Sequence, residues 1–293
     1  MLKKTNYHSK NILLTGASGF IGSYFLKHYS SVFSINNFSF LKNDIDALNL
    51  NKIDSVVHCA ALVHQMKREP DYDEFYRANV LNTVELAVKA KKNNVKQFIF
   101  LSSVKVYGEE SITPYNEKSP TNPQDSYGKS KLEAEKRLLS LKDENFNISI
   151  IRLPLVYGKG VKANFNNLIS LVSKFNIIPL GLIKNKRSLV YVGNVCDTIF
   201  RIIKFNKGGI FLASDDCALS TSELITNIAK ALNKKILLLH IPFMGTIMRI
   251  IFPKYYQRLF GSFKIDNKLT MEKLFMKKNK FSVEESFKKT VSK

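Results

Sequence analysis

The sequence is short of acidic residues, of cysteine and of long apolar runs, and each shortage excludes something. Its 293 residues hold 24 Asp and Glu against 45 Lys and Arg, a formal net charge of +21. Such a positive field draws in nucleotide sugars, nucleic acid and anionic lipid alike. The lysines are scattered over nearly every expected helix, as at Lys89, Lys91, Lys92, Lys96, Lys234, Lys235, Lys277, Lys278 and Lys280. No aromatic-interleaved basic strip accompanies them, so the expectation is a solvated lysine-rich surface and no nucleic-acid partner. Weak association with an anionic membrane surface is compatible with the charge.

Three cysteines, Cys59, Cys196 and Cys217, lack the paired spacing of metal ligands, which predicts reduced thiols and no metal site. His58 beside Cys59 invites a nucleophile reading, but neighbours on a strand point to opposite faces, which argues against it. No apolar run reaches the about 18 residues a membrane span needs; the longest candidate, 236–248, is interrupted by His240 and Pro242. The first eight residues carry charge but no apolar signal core, so a cytoplasmic protein is expected. Internal repeats and low-complexity tracts are absent as well.

The chain is organised around NILLTGASGFIG at 11–22, which reads as a buried strand, a tight turn and a helix start. A dinucleotide pyrophosphate comes almost into contact with the main chain at such a helix N-terminus. Gly16 permits the sharp exit from the strand, Gly19 lets the backbone near the phosphates, and Gly22 lets the helix pack closely on the sheet.

Beyond that turn, α/β alternation continues. A second strand is expected at 32–35, and its end, where a dinucleotide fold selects its cofactor, offers only Asn36 and Asn37; NAD and NADP both remain open. A third buried strand at 54–61 runs into the small residues Ala60 and Ala61. A long helix is expected over 72–92, a strand over 97–101 delivering Ser102 and Ser103, and then a loop carrying Pro114, Pro120 and Pro123.

The helix expected over 126–141 contains YGKSK, placing Tyr127 and Lys131 on one face. An adjacent ammonium lowers a phenol's pKa, and Ser103 can hydrogen-bond the same substrate oxygen. Such a group can pass a proton to or from a carbinol while a nicotinamide exchanges hydride. A strand over 148–153 follows, then looser alternation: helices near 164–175 and 194–204, strands at 188–192 and 209–213, a basic turn at 184–187, and capping boxes at Ser220/Glu223 and Ser282/Glu285. The segment 241–263 is apolar and basic by turns, with Arg249, Lys254 and Arg258. It suits a membrane-surface helix, but Pro242 and Pro253 break it, which favours short helices packed over a substrate cleft.

Together these residues resemble the extended short-chain dehydrogenase/reductases, in the NAD-dependent epimerase/dehydratase group acting on nucleotide sugars. The resemblance rests on TGASGFIG at 15–22, Asp44-Ile45, HCAA at 58–61, Asn79, SSVKVYG at 102–108, YGKSK at 127–131, RLPLVYG at 152–158, RSLVYV at 187–192 and Asp197. It implies an α/β fold: a Rossmann-type doubly wound parallel sheet (1–156 and 187–214) with a smaller C-terminal α+β substrate domain (157–186 and 215–293). It implies Tyr127 as acid/base, Lys131 as its activator and cofactor-ribose ligand, and Ser103 as the hydroxyl orienting the sugar oxygen. NAD, or NADP, would meet Gly16, Ser18, Gly19, Phe20, Ile21, Gly22, Ala60, Ala61, Asn79 and Pro154, with Asp44 and Ile45 at the adenine. Lys105, Asn164, Arg187 and Arg258 would hold the UDP-sugar, with arginine forks suited to phosphate. Pro154 stands where some sugar 4-epimerases place a substrate-binding asparagine.

Within the group the chain resembles UDP-glucose and UDP-N-acetylhexosamine 4-epimerases, which work through a transient 4-keto sugar. It also resembles NAD(P)H-dependent reductases of UDP-4-keto-6-deoxy-N-acetylhexosamines. A non-catalytic dinucleotide sensor is the reading from another class, and it would need the glycines but not Ser103, Tyr127 and Lys131. The resemblance further implies a homodimer pairing helices 72–92 and 126–141.

Overall fold

The computed structural model describes residues 10–63, 70–161 and 164–292. The chain divides into two compact units. One runs through Val106 and takes in Pro123–Arg152 and Cys196–Phe211; the other holds Tyr107–Asn122, Leu153–Val195 and the chain from Leu212 onward.

In the first unit, strands β1 (Asn11–Thr15), β2 (Ser34–Phe38), β3 (Ser55–His58), β4 (Gln97–Ser103) and β5 (Asn147–Leu153) alternate with helices α1 (Phe20–Tyr29), α2 (Tyr72–Tyr76), α3 (Asn82–Lys92) and α4 (Ser126–Ser140). In the second, strands β6 (Leu155–Tyr157), β7 (Ile177–Ile178) and β8 (Leu189–Tyr191) accompany helix α5 (Asn164–Lys174). Helix α6 (Val192–Phe205) and strand β9 (Gly209–Leu212) follow. Helix α7 (Thr221–Ala231), strand β10 (Leu237–Leu238) and helices α8 (Met244–Ile251), α9 (Pro253–Phe260), α10 (Lys268–Lys273) and α11 (Val283–Val291) complete the described chain.

The main sheet has the order β2-β1-β3-β4-β5-β9, the doubly wound order in which the chain reverses direction across the sheet beside its first strand. β1 pairs in parallel with β2 and β3, and β3 with β4. Because helices cover both faces of such a sheet, its strands are apolar without alternation, and every residue of β4 is buried. Phe98, Phe100, Val56, Leu13 and Ile148 pack with Leu86, Ala90, Ala134 and Leu138 of the helices in one core. The second unit carries two parallel two-stranded pairs, β6 with β8 and β7 with β10.

Several expected boundaries move. The amides of Val32 and Phe33 both donate back to the Tyr29 carbonyl, so these residues close α1 and do not open β2. Asn36 and Asn37 accordingly lie inside β2, opposite Leu13 and Leu14, and the strand ends at Phe38. The expected helix over 72–92 is interrupted at Arg77–Leu81 by a π-helical turn, a wide turn frequent at functional sites. Its start is fixed by Asp71, whose side chain and that of Glu74 cap each other's backbone amides. The Ser220/Glu223 capping box forms as expected, and Ser282 accepts from the Glu285 amide. Pro253 separates α8 from α9 at the predicted place.

Candidate active site

The glycine turn is shaped by contact with the end of β3. Gly16 has φ 68°, and a Cβ there would stand 2.6 Å from the Ala60 nitrogen. A Cβ on Gly22 would meet the Gly16 carbonyl at 2.1 Å, so the helix can sit this close only as glycine. α1 begins at Gly19 with no side chain capping its first amides, and Ser18 and Gly19 are exposed. That uncapped helix end fits an anionic pyrophosphate.

The other residues expected at a cofactor are placed as follows. Ala60 abuts Gly16, Ala61 is exposed, and Ile45 is half-buried beside the exposed Asp44. Asn79 is fully buried in the π-helical turn: its Oδ1 accepts from the Leu62 amide, and its Nδ2 donates to the Leu62 carbonyl and to Ser130 Oγ. The turn thereby ties the loop beyond β3 to α4. Pro154 is buried in the second unit.

Ser103, Tyr127 and Lys131 meet in the first unit. Ser103 ends β4, where its Oγ accepts from the Lys105 amide at 3.2 Å and shares a hydrogen bond with the Tyr127 phenol. Tyr127 sits in the first turn of α4, which Asp125 caps by accepting from the Gly128 amide at 2.6 Å. Its half-buried ring packs edge-on to Phe75, centroids 5.9 Å apart. One turn later Lys131 is buried, its Nζ donating to the Leu101 carbonyl at 2.8 Å and lying 4.4 Å from the Phe100 ring centre.

The electrostatics correct one expectation. The Tyr127 phenol is pushed up, to about 12, by burial and by the Asp125 carboxylate, with the Ser103 hydrogen bond opposing. An ammonium was expected to lower it. Lys131 Nζ is 5.9 Å from the Tyr127 ring centre and committed to a backbone carbonyl, so desolvation prevails. The same burial lowers Lys131 to about 7, against the pull of Glu135 and Cys59.

Below this cluster lies a network the sequence reading missed. Ser102 Oγ donates to Glu135 Oε1 at 2.5 Å, and Arg152 Nη2 donates to Glu135 Oε2 at 2.6 Å, all three side chains buried. The available signal was Glu135 itself, four residues beyond Lys131 on one helix face. His58, in contrast, is structural as expected. It is held between Thr15 Oγ1 at 2.9 Å and Thr83 Oγ1 at 3.0 Å, and burial drops it to about 3. Burial raises the Cys59 thiol to about 12, which suits a core thiol and not a nucleophile.

Of the expected substrate ligands, Lys105 lies 3.3 Å from the Asp125 carboxylate. The Asn164 side chain lies outside the described residues. In the second unit Arg187 is half-buried and donates through Nη1 to the Gln257 and Gly261 carbonyls at the end of α9. Burial pulls its guanidinium below the usual range; Glu109 and Glu110 oppose this, and the nearby Arg258 adds to it. An open cavity of about 710 Å³ in the same unit is lined by Gln257 and Gly261 together with Ile112, Tyr256 and Phe260.

The chain resembles known proteins in sequence and in fold. A sequence model described as "NAD dependent epimerase/dehydratase family" matches residues 12–212. A UDP-glucose 4-epimerase of Vibrio cholerae is 38% identical over 310 aligned positions, covering 96% of this chain and 94% of that protein. An N-acetyl-alpha-D-glucosaminyl-diphospho-ditrans,octacis-undecaprenol 4-epimerase of Escherichia coli O157:H7 is 31% identical over 80% of this chain and 76% of its own. Among solved structures, a UDP-N-acetylglucosamine 4-epimerase from Methanobrevibacter ruminantium, in complex with UDP-N-acetylmuramic acid, shares the fold with a TM-score of 0.76 at 21% identity, over 97% of both chains. The glycine turn, the doubly wound sheet and near full-length similarity to a 4-epimerase lead to one conclusion: this chain belongs to the NAD-dependent epimerase/dehydratase family, as an enzyme and not the non-catalytic sensor.

Proposed function

We propose that the chain is an NAD-dependent 4-epimerase of UDP-glucose or a UDP-N-acetylhexosamine, inverting C4 through a transient 4-keto sugar. The observation that carries this reading is the gathering of Ser103, Tyr127 and Lys131 at the end of β4 and the start of α4, in a chain related to 4-epimerases over almost its full length. NAD, when bound, supplies reversible acceptance of the C4 hydride. Its pyrophosphate would be held by the amides of Ser18, Phe20 and Ile21, with Gly19, whose own amide donates to the Gly16 carbonyl, letting the phosphates near the main chain, and its adenine would be held by Asp44 and Ile45. Ala60, Ala61, Asn79 and Pro154 complete the cofactor set. NADP is the alternative dinucleotide, since β2 presents no acidic or basic selector.

Tyr127, in its phenolate form, takes the proton of the C4 hydroxyl as the carbonyl forms and returns it from the same oxygen. Ser103 donates a hydrogen bond to that substrate oxygen, and Lys131, as an ammonium, is the ligand of the cofactor ribose. The first unit carries every one of these cofactor residues except Pro154. In the second, Asn164, Arg187 and Arg258 take the diphosphate, and Lys105 adds a cation for the substrate. A cytoplasmic location suits thiols at Cys59, Cys196 and Cys217. A homodimer through α2, α3 and α4 suits the outward-facing Tyr72, Leu81 and Leu139, and a dimer mass in light scattering checks it.

The test is incubation with UDP-glucose and UDP-N-acetylglucosamine without added reductant, with products read by NMR. C4-epimerised product is expected. Reduction of a UDP-4-keto-6-deoxy-N-acetylhexosamine at the expense of NADPH, with no epimerisation, would replace this reading by that of a 4-keto reductase.

A further inference from the structure

The hairpin α8–α9 presents an apolar face that nothing in the described chain covers. Eight of the twenty large hydrophobic side chains exposed among the described residues fall between Leu239 and Tyr255. α8 contains no buried residue. One side of it leans on α9, where Gly245 approaches the rings of Phe260 and Tyr256. The opposite side carries Phe243, Ile247, Ile250 and Ile251, spaced by four, three and one, so they form one stripe; Phe243 is 80% and Ile250 76% exposed. Phe252 and Tyr255 extend the apolar surface across the Pro253 corner.

The charge carried by this stretch of chain has one sign, although a carboxylate from elsewhere in the unit, Glu110, lines the cavity that Arg249 and Tyr256 share. From Leu224 to Ile265 the chain has no Asp or Glu and seven Lys and Arg, in a protein whose average composition would place three or four acidic residues in a stretch of that length. Arg249 and Arg258, one on each helix, are exposed. An apolar stripe on a short helix with cations at its flanks is the pattern that settles at the headgroup boundary of a bilayer, where aliphatic side chains enter the acyl region and arginines meet lipid phosphates. A soluble protein partner would need acidic complementarity over the same area. A second copy of this chain brings like charge to like charge.

We propose that the α8–α9 hairpin docks the protein on an anionic lipid surface, with Phe243, Ile247, Ile250 and Ile251 inserted and Arg249 among the headgroup contacts. The inserted residues and Arg249 are separate from Arg258, which the substrate reading assigns to the diphosphate, so the docking face does not rest on that reading.

Co-sedimentation of the full chain with phosphatidylcholine vesicles, and with equimolar phosphatidylcholine and phosphatidylglycerol, tests this. Binding is expected to the mixed vesicles and to be weak on the neutral ones. In the double variant Ile250→Ser, Ile251→Ser the bound fraction is expected to fall about tenfold or more, with turnover of a soluble UDP-sugar and the circular dichroism spectrum unchanged. Wild-type protein left in the supernatant by mixed vesicles overturns the proposal, as does a double variant that binds as wild type. Loss of turnover in the variant would assign these residues to the fold. A lipid-free dimer that the variant converts to monomer would assign the stripe to contact between copies.

Discussion

Arg152 grips the Glu135 carboxylate with two nitrogens, Nη2 at 2.6 Å from Oε2 and Nε at 3.1 Å from Oε1, with both side chains shut away from water. Ser102 Oγ closes the network from β4. A carboxylate and a guanidinium taken out of water tolerate each other's presence and little else. Arg152→Met leaves Glu135 buried and unpaired, so unfolding stability is expected to drop by about 3–5 kcal/mol. Adding Glu135→Leu to that variant should recover much of the loss. Urea titrations of the two variants beside wild type measure both; equal stability of Arg152→Met and wild type would show that the pair carries no structural weight.

Under the proposed mechanism the same carboxylate bears on the chemistry through Lys131. Burial has lowered that ammonium to about 7, while Glu135, one turn along α4, holds it up. The other titratable groups facing it, Tyr127, His58 and Cys59, are neutral in this range. Glu135→Gln removes the supporting charge, so Lys131 should lose its proton at lower pH. The fall of kcat/KM with rising pH is therefore expected to begin at a lower pH in the variant. A merely structural role would lower activity at every pH without moving the limb.

Tyr127→Phe removes the phenol oxygen and keeps the ring that packs on Phe75. Turnover should fall by about 10²–10⁴-fold, the usual worth of a positioned proton donor, with NAD affinity by calorimetry nearly unchanged. Turnover within a factor of a few of wild type would assign the proton transfer elsewhere.

The parts legible in the sequence are those whose geometry is local. Gly16, Gly19 and Gly22 lie within seven residues, and Tyr127 and Lys131 are separated by one helical turn, so spacing alone places them. Ser103 was legible because the strand over 97–101 leads straight to it. The Ser102–Glu135–Arg152 network was not, because its members come from β4, α4 and β5 and meet only when the sheet closes. The π-helical turn at Arg77–Leu81 escaped for a related reason. The apolar periodicity of 72–92 is that of an ordinary helix, and the widening coincides with the Asn79 amide reaching Leu62 and Ser130, contacts 17 and 51 residues away in the chain. The start of β2 was misplaced because Val32 and Phe33 have strand-like side chains, while their amides are claimed by Tyr29 at the end of α1. Arg187 was readable as a cation; that it binds the carbonyls ending α9 depends on a segment 70 residues later.

His58 is expected to contribute to the acid sensitivity of the fold. Its ring lies between Thr15 and Thr83, and burial first, then the Lys131 charge, lowers its folded-state value from 6.5 to about 3. Between those two values the unfolded chain binds a proton at this site and the folded chain does not. The stabilisation is thus present above pH 6.5 and is lost as pH falls toward 3. His58→Gln cannot take up that proton, and its amide can hydrogen-bond either threonine. The variant is expected to be less stable than wild type at neutral pH through imperfect packing, yet to lose less stability between pH 6.5 and 4. Urea midpoints at a series of pH values measure both slopes, and parallel curves would remove His58 as the source of the acid sensitivity.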